Sequence, residues 1–301
     1  GSGLDTFDGD EQIGFMVVAD GVTIQRVTLD GQANNVAHGG MLPDQSNFRV
    51  GIMNYDESGQ ASDDLTIDDV TIRNVRNRGV AFYPGTTSGH IVSNSLIEYV
   101  EGRQAIYSAA YDVTITGNTI RYAGLGIGLY PTLPANSGAT LTVTNNTLTD
   151  IAGSYSQYYG HSYPAIGIYY RNSNYDQKII ITGNDLTIGN GDEEEGLPGV
   201  TGMYIYNADA NSLIADNTID STGGTDNWGI YLGGCAGTTV QNNVFAMNDS
   251  DSGIYLGRGV AGVPVPNIIT GNTFISTDST SADLSEGAAI LQANHGNLFW
   301  M

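Results

Sequence analysis

The sequence predicts an all-β solenoid, one coil of short parallel strands wound about nine times, as a single domain over residues 1–301. Three observations predict it. One strand motif returns along the chain, an asparagine recurs inside it, and no window shows the 3.6-residue apolar spacing of a helix.

The motif is clearest at Val113–Ile120, VTITGNTI. It returns as LTVTNNTL at Leu141–Leu148, IIITGNDL at Ile179–Leu186 and SLIADNTI at Ser212–Ile219. TTVQNNVF at Thr238–Phe245 and NIITGNTF at Asn267–Phe274 follow. Weaker copies are Gly89–Leu96, Leu65–Ile72 and Val22–Leu29, which makes nine. The period is about two dozen residues with insertions, too short for four-stranded propeller blades. Each strand should pair with its copy one turn away, about 4.8 Å along the axis. Asn94, Asn118, Asn146, Asn184, Asn217, Asn243 and Asn272 should occupy the turn between two strands and bond one another as a ladder.

A second alternating motif follows each copy: Gly126–Tyr130, Ala165–Tyr169, Gly202–Tyr206, Gly229–Gly233 and Gly253–Gly257. Earlier forms are Val50–Tyr55, Gly79–Tyr83 and Ala105–Ser108. The apolar alternates, such as Ile127 and Leu129, Ile166 and Ile168, or Ile230 and Leu232, should face a narrow core. The others should face outward in two columns. One holds Tyr107, Tyr204, Tyr231 and Tyr255 with Gly128 and Gly167; the other holds Tyr55, Tyr83, Tyr130, Tyr169 and Tyr206 with Gly233 and Gly257.

Charge narrows the partners. Acids outnumber bases 32 to 10, for a net charge of −22. Phosphate backbones and anionic membranes need clustered cations, so neither nucleic acid nor membrane insertion is expected. No run of 18 apolar residues spans a bilayer. Lone Cys235 reads as a small buried residue. Asp5, Asp8, Asp10 and Glu11, and Asp63, Asp64, Asp68 and Asp69, crowd enough to make Ca²⁺ a possible ligand, although neither run has the twelve-residue calcium-loop pattern and solvated surface is the favoured reading. The uncapped ends and the apolar finish Asn297–Met301 suggest a segment of a longer chain, or a partner at the C-terminal end.

From Val22 to Ile290 the repeats resemble the right-handed, single-stranded parallel β-helix of the pectate-lyase-like superfamily, the group of mannuronan epimerases, polysaccharide lyases and surface repeat proteins. The resemblance implies an extracellular or cell-surface setting and a substrate groove on the sheet formed by the second motif. A phenol offers an apolar face and one hydroxyl, which suits a sugar, and interleaved glycines would leave room for a ligand. The other reading is that the tyrosines stack on one another as a ladder. Tyr107, Tyr130, Tyr163, Tyr204, Tyr206, Trp228, Tyr231, Tyr255 and Arg258 are the substrate-binding candidates. His161, Tyr169, Arg171 and Asp209 are the catalytic candidates: an arginine to neutralise a uronate carboxylate, a histidine and a phenol to move the C5 proton. His161 lies in a Tyr/Ser-rich loop, 154–164, and Gly191–Gly196 makes an acidic tip.

The chain departs from the epimerase pattern. Where those enzymes carry Tyr-Gly-Phe-Asp-Pro-His, Val80–Gly85 reads VAFYPG, with Tyr83 and Gly85 at the catalytic positions. Lys178, the only lysine, is not marked as a lyase base, and Asp209 with Asp226 is the available carboxylate pair for a hydrolase. The reading is therefore an enzyme acting on a polysaccharide, with lyase or epimerase chemistry on a uronic acid ahead of hydrolysis. The rival is a non-catalytic adhesin, envelope or carbohydrate-binding segment.

Overall fold

The computed structural model describes residues 13–31, 48–56, 58–83, 86–132, 138–156, 161–172, 177–188, 200–220, 227–248, 251–257, 266–276 and 288–292. All regular structure among them is β. Copies of the first motif form a nine-stranded sheet, from Thr23–Gln25 to Ile268–Thr270, in which each strand pairs in parallel with its copies one coil away. Alternation decides which side is buried. In Val113–Thr116 the two apolar residues are at most 1% exposed, and the two threonines stay half-exposed.

Each coil then turns and enters a seventeen-stranded sheet made of two rows. The first row follows the turn, as at Thr147–Ile151 and Thr218–Asp220; the second, the front row, carries the second motif, as at Ile166–Arg171 and Trp228–Gly233. Leu96–Ser108 and Thr119–Leu129 run through both rows and join them. Between the sheets lies one continuous apolar core, to which every coil contributes residues such as Ile115, Ile127, Leu148 and Ile168. Lys178 begins a strand of the nine-stranded sheet, away from the front row.

The ladder is present with one change. The Asn118 side-chain amide donates to Oδ1 of Asn146 at 2.9 Å, and the pattern continues through Asn184, Asn217 and Asn243 to Asn272 at 2.8–2.9 Å. Each Oδ1 also accepts the backbone N–H of the preceding ladder residue. Asn94 does not belong to it. Val113 pairs with His90, so the rung is Ser95, whose N–H donates to Asn118 Oδ1. Asn94 sits one residue earlier and donates to Asp68.

That earlier position explains the turn. It has left-handed φ in all nine coils: Arg26, Asp69, Asn94, Gly117, Asn145, Gly183, Asp216, Asn242 and Gly271. Glycine and short Asn or Asp side chains reach that region at least cost, and they fill eight of the nine places. The ladder asparagine follows the left-handed residue rather than occupying it.

The front row also differs in register from its motif alignment. Gly167 stands beside Gly202, and Ile127 beside Ile168, so Gly126–Tyr130 matches Gly167–Arg171 rather than Ala165–Tyr169. Glycine sets this register. A Cβ on Gly167 would come within 2.8 Å of Gly202 O and 2.7 Å of Leu186 Cδ2. Consequently Ile168 and Tyr170 point into the core, whereas Ile166 is buried outside the main cluster.

Candidate functional site

The shifted register redraws the outward columns. One runs Ala81, Tyr107, Gly128, Tyr169, Tyr204, Tyr231, Tyr255. The other includes Tyr55, Tyr83, Tyr130, Arg171, Tyr206, Gly233 and Gly257, with Arg171 paired to Tyr206. Tyr169 thus leaves the column expected for it, and Arg171 takes its place on the face.

The rings do not stand apart. Eight successive coils supply one ring each to a single ribbon: Tyr55, Tyr83, Tyr107, Tyr130, Tyr169, Tyr204, Tyr231 and Tyr255. From Tyr83 to Tyr255 adjacent centroids lie 4.5–5.4 Å apart, and Tyr169, Tyr204 and Tyr231 are within 5° of parallel. Tyr55 joins the end at 6.3 Å, and Trp228 packs on Tyr231 and Tyr255 at 5.3 and 4.6 Å. Strand spacing sets this separation, which matches that of stacked aromatic pairs.

Small residues keep the ribbon continuous. Where the first column holds Gly128, the Tyr130 ring leans across from the second column; a Cβ there would be 3.0 Å from Tyr130 Cε2. At the other end Tyr231 leans the opposite way, so that a Cβ on Gly233 would meet its ring at 2.6 Å and one on Gly257 its hydroxyl oxygen at 2.6 Å. These glycines therefore hold tyrosine rings rather than the ligand depressions expected of them. All eight rings are half-buried. Stacking covers ring faces inside the ribbon, so a ligand on this face would meet the uncovered parts of half-buried phenols, one per coil.

Cations flank this row. The Arg78 guanidinium lies 4.3 Å from the Tyr107 centroid, and Gln104 donates to the Tyr130 hydroxyl at 3.0 Å. Arg171 is exposed, hydrogen-bonded to the Tyr169 phenol and 6.0 Å from the Tyr206 centroid. Phenols raise its pKa, with Tyr169 first and Tyr204 and Tyr206 after it. Arg73 and Arg121 instead pair at 2.7 Å with Asp30 and Glu98 in the neighbouring row. Burial pushes Tyr204 up to about 12, and Tyr130, Tyr169 and Tyr231 also upward; the Arg171 hydrogen bond opposes the rise at Tyr169. These phenols stay protonated at neutral pH, which suits them as proton donors and unsuits them as bases.

The remaining candidates are placed as follows. His161 and Tyr163 lie on the second strand of a hairpin, His161–Tyr163 against Ser154–Ser156, whose first strand packs on Leu96–Ser108. Their side chains fall outside the described residues, as do Arg258, Asp226, the acidic tip and the run Asp5–Glu11. Asp209 is half-exposed in the turn after Thr201–Tyr206, its N–H donating to Gln177 O. Among the described residues no three His, Cys, Asp or Glu converge as a metal site. Asp63 accepts from Ser88 N–H, and Asp68 accepts from Ser93 and Asn94. Cys235 is buried, and desolvation moves its thiol up to about 11. Among the described residues no helix is long and apolar enough to cross a membrane. The sequence does not single out Arg78 or Gln104; of its two readings of the tyrosines, the stacked ladder is the one the ring geometry matches.

No protein-family model matches the chain, and no curated protein sequence does. Solved structures do. The tailspike protein of E. coli bacteriophage HK620, in complex with a pentasaccharide, matches at TM-score 0.54 with 13% identity, over 88% of this chain and 45% of the tailspike. A mutant of the periplasmic alginate epimerase AlgG matches at TM-score 0.51 with 14% identity, over 93% of this chain and 70% of the enzyme. The fold is the right-handed parallel β-helix. This β-helix spans less than half the length of the tailspike it matches.

Proposed function

We propose that the front face binds a polysaccharide carrying acidic sugars, with Arg171 as the carboxylate contact. The observation that carries this is the position of Arg171. In a protein of net charge −22 an exposed guanidinium stands in the phenol ribbon, acted on by tyrosines rather than by a described carboxylate. An arginine set in a row of hydroxyls suits a sugar carboxylate, which it can meet with two parallel N–H donors. The tailspike complex with a pentasaccharide and the alginate epimerase support the general reading, and with it a place at the cell surface, outside the cell or in the periplasm. Calorimetric titration over acidic and neutral polysaccharides tests it. Arg171→Gln should weaken acidic chains roughly 10- to 100-fold and leave neutral ones unchanged. No binding, or an unchanged affinity in the variant, overturns the proposal.

A second reading, lyase or epimerase chemistry, rests on the Tyr169–Arg171 hydrogen bond. A guanidinium on a uronate carboxylate would stabilise the enolate formed when a base removes the C5 proton, with His161 or Asp209 as candidate base. The Tyr169 phenol would return a proton, to C5 in an epimerase or to the leaving glycosidic oxygen in a lyase. Unsaturated-uronate absorbance and NMR of the recovered polymer separate these outcomes from binding alone, the adhesin-like alternative.

A further inference from the structure

From one ring per coil we infer that the ligand is an extended acidic polysaccharide read one sugar per coil, over about eight sugars; this rests on the binding reading above. The ribbon is periodic along the axis because each coil adds one phenol, and adjacent centroids from Tyr83 to Tyr255 repeat at 4.5–5.4 Å. An extended chain of pyranose rings advances by about one strand spacing per sugar, roughly 5 Å. Such a chain laid along the axis would meet a fresh phenol at each residue without bending. A chain that coils would lose step with the row after a few sugars.

The periodicity is kept where sequence alone would break it. Coils with Ala81 or Gly128 in the first column carry Tyr83 or Tyr130 in the second, and these rings fill the gap. Core packing does not need this compensation, because all these rings point outward. Burial raises the phenol pKa at Tyr130, Tyr169, Tyr204 and Tyr231, four neighbouring rings of the row, where a hydrogen bond to a ligand forms in a partly dehydrated setting.

The experiment is a length series: β-1,4-linked oligouronates of three to ten residues, with α-1,4-linked glucuronan oligomers of equal length as the coiling comparison, titrated calorimetrically. Affinity for the extended series should rise roughly threefold per added sugar and level off near eight. Gly128→Val, which drives Tyr130 off its seat, should bring the plateau down to about four, the rings from Tyr169 to Tyr255. If that variant does not fold, Tyr130→Ala opens the same gap. Binding that levels off at two or three sugars, or equal affinity for the coiling series, overturns the inference and leaves the binding reading standing. No binding at any length overturns both.

Discussion

The Tyr130 ring lies over Gly128, two residues before it in the chain, and there closes the space between Tyr107 and Tyr169. The outer face depends on this contact as the core depends on its own packing.

Gly128→Ala is the smallest test of that dependence. The new methyl would stand 2.6 Å from Gln104 Cγ and 3.0 Å from Tyr130 Cε2. The expected cost is about 1–3 kcal/mol in denaturant unfolding. Tyrosinate absorbance should also show the Tyr130 phenol, now pushed out to water, falling back toward its ordinary value of 10.

The ladder offers a contrast between two asparagines. Asn184→Ala removes the acceptor of both the Asn146 N–H and its side-chain amide, inside the protein. Orphaned buried donors cost about 1–3 kcal/mol each, so a loss of about 3 kcal/mol is expected. Asn94→Gly keeps the left-handed turn at an exposed site and should change stability by less than about 1 kcal/mol. Equal effects of the two would contradict the ladder assigned above.

His90 should make the fold sensitive to mild acid. Its ring is 1% exposed and stacks on Phe82 at 4.3 Å. Asn54 Nδ2 lies 3.2 Å from Nε2 and the Leu65 N–H 3.3 Å from Nδ1, so an imidazolium would face two donors. Burial lowers the pKa from 6.5 to about 4, with Asp63 opposing the shift. Between those values the unfolded chain binds a proton that the folded chain does not. Stability is therefore full above pH 6.5 and declines as pH falls toward 4, by up to about 3 kcal/mol. Unfolding of wild type and His90→Gln across this range should diverge by that amount, with the variant flatter.

Removing Arg171 should also alter the ribbon without any ligand. Its hydrogen bond holds the Tyr169 phenol down against the effect of burial. In Arg171→Gln the Tyr169 ionisation should move to higher pH, seen as one tyrosine leaving the titrating population before alkaline unfolding. An unchanged titration would mean that the pair is not formed in solution.

Much of the architecture could be read from the chain because parallel stacking repeats the same chemistry at the same place. Threonine and valine alternation, and an asparagine in six successive coils, leave a visible period. The errors arose where two short periods compete. Ala165–Tyr169 resembles Gly126–Tyr130 by its tyrosine, but the close approach at Gly167 decides the pairing and shifts that strand by two residues. Gly89–Leu96 has its asparagine one place early, because the left-handed turn accepts asparagine as readily as the ladder does. The sequence leaves ring stacking undecided, since Tyr107 and Tyr130 belong to different columns and meet only when one of them leans. The alternation of Asp30, Arg73, Glu98 and Arg121 across four coils was hidden by the uneven spacing of the inserts.

Each coil bonds chiefly to the coils before and after it, so the molecule is close to a one-dimensional chain of contacts. Such a body opens by fraying, and amide exchange should be slowest around Ile115, Val143 and Ile181 and quicken toward either tip. The phenol row would then be held most rigidly at its centre, with both ends free to breathe around whatever lies along it.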